Sequence, residues 1–229
     1  MPFILSTHDW SGVDQYMWLA HHYRLRVLAD LQATPGYMVA CPAGTPSDQS
    51  YHCPPQNPAR WGALAGLIAA HTRGVIDDFE IINEPDGHWA FYGTPQQYAQ
   101  ILSASYDAIH HANPTARVAL GGLMNIGTGG TSWINAVLHT PSTDALHKFD
   151  IANIHIRTRA ADIGTTVRRW RRCFTARGFR GPLWVTETGY PEFVISPNTA
   201  AQSVARPAPI PNASIASTDV SARAVAETS

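Results

Sequence analysis

The chain has 229 residues, of which 45% are hydrophobic and only 14% charged. Sixteen basic and 17 acidic side chains leave a net charge of −1, which removes any global electrostatic case for a nucleic-acid or anionic-membrane partner. No apolar run approaches the roughly 18–20 residues of a membrane span, and no repeat at a solenoid period is visible.

The rare residue types narrow the ligand class. There is one lysine, Lys148, and the only glutamates are Glu80, Glu84, Glu187, Glu192 and Glu227. Seven tryptophans accompany them. Few carboxylates and many aromatics lean toward a neutral, hydroxyl-rich ligand.

The first residues, Met1 to Thr7, carry no basic segment and only three apolar residues together, so they do not read as a signal peptide. Asp9 or Ser11 can cap a helix over about 12–23, with Val13, Tyr16, Met17 and Ala20 on one face. Arg26 to Ala33 reads as a strand ending at the turn signal Thr34-Pro35-Gly36. An irregular loop follows to about Asn57, a length that usually marks function. Pro58 opens a helix with Trp61, Leu64, Ile68 and His71 on one side. Phe79 to Asn83 is a short apolar strand. Thr94-Pro95 caps a helix whose face is Tyr98, Ile101, Leu102, Ser105 and Ile109, and which stops before Asn113-Pro114. Ala116 to Gly121 is a strand, Gly121 to Gly130 a glycine-rich loop, and Ser132 to Leu138 a short helix. Ile151 to His155 is a strand. A helix over about 163–177 turns Val167, Trp170 and Phe174 inward and ends at Gly178. Leu183 to Glu187 is the last strand. From Ala201 onward the chain is rich in Ala, Ser and Pro and reads as a disordered tail.

Cys41 and Cys53 bracket a Pro/Gly/Ser-rich stretch with no spacing that suggests zinc. A disulfide closing this loop is expected, and it would imply an oxidising compartment; two free thiols are the alternative. Cys173 reads as a buried thiol within its helix. The histidine pairs His21-His22 and His110-His111 favour helix C-terminal ends and do not read as metal ligands. The run Arg168-Arg169-Trp170-Arg171-Arg172 reads as a solvated helical face.

The strands begin near 26, 79, 116, 151 and 183, and helices alternate with them. Apolar strands alternating with amphipathic helices predict an α/β fold with a parallel sheet. The spacing matches a (β/α)8 barrel. A doubly wound sheet is the alternative, although no glycine-rich nucleotide motif opens any helix.

In such folds chemistry collects at the C-terminal strand ends. Glu84 closes Phe79-Glu-Ile-Ile-Asn-Glu84-Pro85, and Glu187 closes Leu183-Trp-Val-Thr-Glu187-Thr-Gly189. Three strand steps separate them, so in a barrel they face each other across the mouth. Two carboxylates so placed can cleave a glycosidic bond, one as proton donor and one as nucleophile. The Schiff-base chemistry of barrel aldolases is disfavoured, because Lys148 lies before its strand, at the wrong end.

Ile82-Asn83-Glu84-Pro85 and Trp184-Val-Thr-Glu187-Thr-Gly189 resemble the motifs of clan A glycoside hydrolases, in the neighbourhood of families 39 and 5. So do Asp9-Trp10-Ser-Gly-Val-Asp14, Leu25-Arg-Val-Leu28 and Ala33-Thr-Pro35. The likeness covers about residues 9–192. It implies a partial (β/α)8 TIM barrel comprising strands 3 to 7 of the family barrel over residues 1–198, followed by the tail over 199–229. Two family strands would precede the first one here, and the eighth would stand where the tail is. The likeness further implies retaining hydrolysis of β-glycosidic bonds with Glu84 as acid/base and Glu187 as nucleophile. Asn83 would bind the sugar 2-hydroxyl, and His155 would lie beside the nucleophile. Trp89 and Tyr37 would stack on sugar rings. Neither metal nor organic cofactor is implied, the partner is a carbohydrate, and a secreted full-length protein is expected. The family often has His-x-Tyr on strand 6, whereas this chain has His155-Ile-Arg157. An arginine there would pair with Glu187 and restrain its attack. The competing expectation is a non-catalytic fragment that only binds carbohydrate.

Overall fold

The computed structural model describes residues 9–124, 128–189 and 226–228, with side chains over 9–124 and 130–189. Residues 190–225, which hold most of the expected tail, and 125–127 of the glycine-rich loop lie outside the described residues. The elements in chain order are α1 (Ser11–Tyr23), β1 (Leu28–Leu31), α2 (Pro58–Thr72), β2 (Asp78–Ile81), α3 (Pro95–Ala112), β3 (Arg117–Leu120), α4 (Thr128–Leu138), β4 (Ala152–Arg157), α5 (Ile163–Ala176), β5 (Leu183–Gly189) and β6 (Ala226–Thr228).

The strands β1, β2 and β3 pair in parallel and in sequence order. Parallel bridges at Ala119–Ile151 and Leu123–Ile154 carry the pairing on to β4, which pairs in parallel with β5. Consecutive order has no switch point, so the doubly wound alternative falls away and a partial barrel stands. The backbone of β6 pairs antiparallel with the start of β5. These three residues therefore carry strand structure inside the stretch that the composition assigns to a disordered tail.

The sheet curls. In a flat sheet β1 and β5 would stand about 19 Å apart, four intervals of about 4.8 Å. Yet the Trp184 ring, at the start of β5, lies 5.4 Å from the Arg26 guanidinium ahead of β1 and 4.7 Å from that of Arg117. Asp78 accepts from both arginines at 2.8 Å. Leu28, Ala119, Ile151 and Trp184 form a small buried cluster inside the curl. The alternate residues, among them Phe79, Ile81, Val118, Leu120, Ile154 and Ile156, join the large core between sheet and helices.

Helix α3 buries the face that its 3.6-residue period predicts. Thr94 and Gln97 close a reciprocal capping box at its start. Helix α2 differs from expectation. It buries Trp61, Ala65, Ala69 and Thr72 together with Gly62 and Gly66, while Leu64, Ile68 and His71 are only half-buried. The glycines decide this: a Cβ at Gly62 would come within 2.5 Å of the Ala104 carbonyl oxygen, so α2 seats its smallest face against α3. Cys173 is half-buried rather than enclosed, because it lies beside the Arg177 guanidinium at 3.1 Å. The loop after β1 also holds more structure than its composition suggests. Gly36–Met38 and Ser47–His52 form 3-10 turns, Val39 bridges Pro55, and a Cys41–Cys53 disulfide closes the loop.

Candidate active site

The last residues of β2 leave the sheet along an unusual path. Ile82 and Glu84 both have positive φ, 58° and 47°. For a β-branched residue this is a strained conformation, tolerated where the surroundings over-determine it. Three neighbours accommodate it. The Asn83 amide donates to Gln32 Oε1 at 2.5 Å. Gly121 at the end of β3 has no side chain, and a Cβ there would come within 2.0 Å of the Ile82 carbonyl. The Tyr98 hydroxyl donates to the Ile81 carbonyl at 3.0 Å and accepts from the Gly121 amide at 2.8 Å. Burial pushes its phenol far above the ordinary tyrosine range, so the proton stays in place. The outcome is that the Glu84 side chain turns into the curl and is buried.

Glu187 reaches the same place by a different device. The pairing of β4 with β5 slips between Ile154 and His155: Ile154 pairs with Val185, but His155 pairs with Glu187. Thr186 is the extra residue of a β-bulge, and its hydroxyl donates to Asn153 Oδ1 at 2.7 Å. Strand alternation alone would send Glu187 toward the helices, and the bulge re-aims it inward.

His155 stands between the two carboxylates. Its Nδ1 lies 2.6 Å from Glu84 Oε1 and 3.5 Å from Glu187 Oε2. The ring thus lies beside Glu187, its register partner, as the motif leads one to expect, and is closer still to Glu84. Nε2 is buried without a hydrogen-bond partner among the described residues and abuts Gly122, where a Cβ would come within 2.1 Å of it. A bare lone pair is easier to leave there than an N–H, which favours the tautomer with the proton on Nδ1, donated to Glu84. Arg157, the next inward residue of β4, places Nη2 2.7 Å from Glu187 Oε2 and 3.7 Å from Glu84 Oε1. One atom each of Glu84, His155 and Glu187 lies within 4.8 Å of the others, close enough for a metal ion. The sequence reading named all three residues but implied no metal.

The remaining expected residues are placed as follows. Asn83 sits between the strained positions and is half-buried. Trp89 is 59% exposed beside Gly87 in the loop after β2, and Tyr37 is 53% exposed. The Tyr37 ring lies 6.0 Å from the Arg60 guanidinium at the start of α2, so its described ring contact is with that helix rather than with the carboxylates. The supporting groups were not foreseen: Gln32, Tyr98, Gly121, Gly122, Asn153 and Thr186. Only the Gly121-Gly122 pair at a strand end carried a signal that could have pointed to a close backbone approach.

No protein-family model matches the chain. No curated protein matches it either. Solved structures do share its fold. A glucosidase from Croceicoccus marinus superposes with a TM-score of 0.61 at 15% identity, over 79% of this chain and 38% of that one. A GH39 beta-xylosidase from Caulobacter crescentus gives 0.60 at 21% identity, over 79% and 41%. The GH53 catalytic domain of Ignisphaera aggregans gives 0.51 at 14%, over 79% and 50%. This chain thus spans half or less of the length of these structures, and what it shares with them is the barrel fold.

Proposed function

We propose that the chain is a glycoside hydrolase-type domain that cleaves β-linked sugars with retention, with Glu84 as acid/base and Glu187 as nucleophile. The observation that carries this reading is the convergence of two strand-end glutamates on one site, their nearest ligating oxygens within 4.8 Å. Retaining enzymes hold their carboxyl groups about 5 Å apart, whereas inverting enzymes keep about 6.5–9.5 Å to admit a water. The names of the structural neighbours point the same way.

In the proposed reaction Glu84 donates its proton to the glycosidic oxygen while Glu187 Oε2 attacks the anomeric carbon. The C–O bond to the leaving group breaks, and a glycosyl ester forms on Glu187. Glu84, now ionised, takes a proton from water, the hydroxide attacks the anomeric carbon, and Glu187 is released. His155, through its 2.6 Å hydrogen bond, fixes the orientation of Glu84. Asn83 would meet the sugar 2-hydroxyl, and Trp89 and Tyr37 would offer aromatic faces to rings further out. None of these steps calls on a metal or organic cofactor. The relationship to families 39 and 5, the division into a barrel over 1–198 and a tail over 199–229, and secretion of the full-length protein belong to the same proposal. The Cys41–Cys53 disulfide supports the last of these.

The test is turnover of a panel of aryl β-glycosides by wild type and Glu187→Ala. Wild-type turnover that the substitution abolishes supports the reading, and equal rates refute it. A second reading, carbohydrate binding without hydrolysis, is favoured by the Arg157 guanidinium lying against the nucleophile. Oligosaccharide binding by calorimetry, with no turnover of any glycoside, would select it.

A further inference from the structure

A cation of the chain itself touches both carboxylates. Retaining hydrolysis builds positive charge on the sugar between acid/base and nucleophile. The Arg157 guanidinium lies in that region, with one nitrogen 2.7 Å from Glu187 and 3.7 Å from Glu84. We infer that Arg157 is an internal latch: a positioning residue that occupies the cation-stabilising space of the carboxylate pair and must swing aside before a cationic or sugar ligand enters. The inference rests on the glycosidase reading for its sugar ligand, but not for its electrostatics.

Three features make the latch movable. The Arg157 side chain is 54% exposed although it touches the buried Glu84. It is the last residue of β4 and the one exposed residue of that strand, next to the loop that follows. Its Nη1 lies over Gly189, its partner across β5, where a side chain would begin at 3.4 Å from it. Its partner carboxylates are more enclosed, Glu187 at 25% and Glu84 at 1% exposure, so solvent and ligands reach the ion pair from the arginine side. Once it opens, the carboxyl oxygens of Glu84 and Glu187 lie beside His155 and are open to any cation able to fit. The same three side chains then offer ligand atoms within 4.8 Å of one another. The latch therefore competes with every positive ligand of the site, including the developing charge on a sugar.

The test uses the whole chain as wild type, Arg157→Ala, Arg157→Met, which keeps the side-chain stem, and the double variant Arg157→Ala/Glu187→Gln. Zinc ion is titrated by calorimetry as a sugar-free probe, a cationic iminosugar as the sugar-shaped probe, and the neutral sugar of the same shape as its control. With the latch removed, zinc and the iminosugar bind on the order of tenfold more tightly. The neutral sugar changes less, and the gain disappears in the double variant. A purely structural role would lower the melting temperature without tightening cation binding. Equal or weaker zinc binding in both Arg157 variants overturns the latch. If zinc tightens while neither iminosugar nor sugar binds any variant, the latch stands and the glycosidase reading falls.

Discussion

The His155 ring sits against Gly122 with no room for a side chain between them, which makes Gly122→Ala an informative perturbation. A methyl group at Gly122 would sit 2.1 Å from His155 Nε2 and 2.5 Å from Cδ2, where carbon needs about 3.5 Å. Gly122 is not among the residues with positive φ, so alanine meets no backbone penalty and the entire effect is steric. The imidazole is buried and cannot yield toward solvent. It must move by about 1 Å or more away from Gly122, and the 2.6 Å hydrogen bond to Glu84 cannot keep its geometry through that shift. Overpacking of this kind costs about 1–3 kcal/mol, and the lost hydrogen bond about 0.5–1.5 more. At about 2–4 °C per kcal/mol, the melting midpoint should fall by roughly 3–18 °C. A displacement of about 1 Å in a catalytic site lowers the rate on the order of a hundredfold. Thermal melts followed by circular dichroism and initial rates on an aryl β-glycoside read the two effects. Unchanged melting and unchanged rate would refute the packing argument. A lowered midpoint with an unchanged rate would detach His155 from the chemistry.

Three further outcomes follow from individual contacts. Tyr98→Phe removes the group that accepts from Gly121 and donates to Ile81. It should cost about 1–3 kcal/mol in denaturant unfolding, and it should loosen the strained Ile82–Glu84 path enough to lower the rate as well. Reduction of Cys41–Cys53, which spans a sequence separation of 12, should cost roughly 3 kcal/mol by loop entropy, read as a lower unfolding midpoint with reductant than without. Burial pushes the Cys173 thiol above its ordinary value, with Arg177 opposing. Less thiolate is present at any given pH, so alkylation at mildly alkaline pH should run slower than for a free cysteine peptide and speed up on unfolding. A native rate equal to the peptide's would contradict this.

Much of the barrel was legible because strand and helix periods differ so plainly. The run Phe79-Glu-Ile-Ile leads into Asn83-Glu84-Pro85, and Thr94-Pro95 opens a helix whose buried face is the one its spacing predicts. The α2 face was misread because the heavier residues Leu64, Ile68 and His71 outweighed Gly62 and Gly66. Close approach of two helices rewards the absence of a side chain, which hydrophobic periodicity does not register. Within the site, Glu84 and Glu187 could be found from their strand-end context. The bulge at Thr186 could not, because one extra residue in a pairing register depends on the partner strand. Simple alternation along Leu183-Trp-Val-Thr-Glu187 gives the opposite direction for Glu187. The His155–Gly122 contact was equally hidden, since it joins residues 33 positions apart on neighbouring strands.

The central claim is that Glu187 forms a bond to the sugar. The most direct measurement is intact-mass and peptide mapping after incubation with activated β-glycosides that carry fluorine in place of the 2-hydroxyl, so that the glycosyl-enzyme accumulates. One glycosyl adduct is expected on the peptide containing Glu187, absent from Glu187→Ala. An adduct on another residue, or turnover of the unfluorinated glycoside by Glu187→Ala at the wild-type rate, would contradict it.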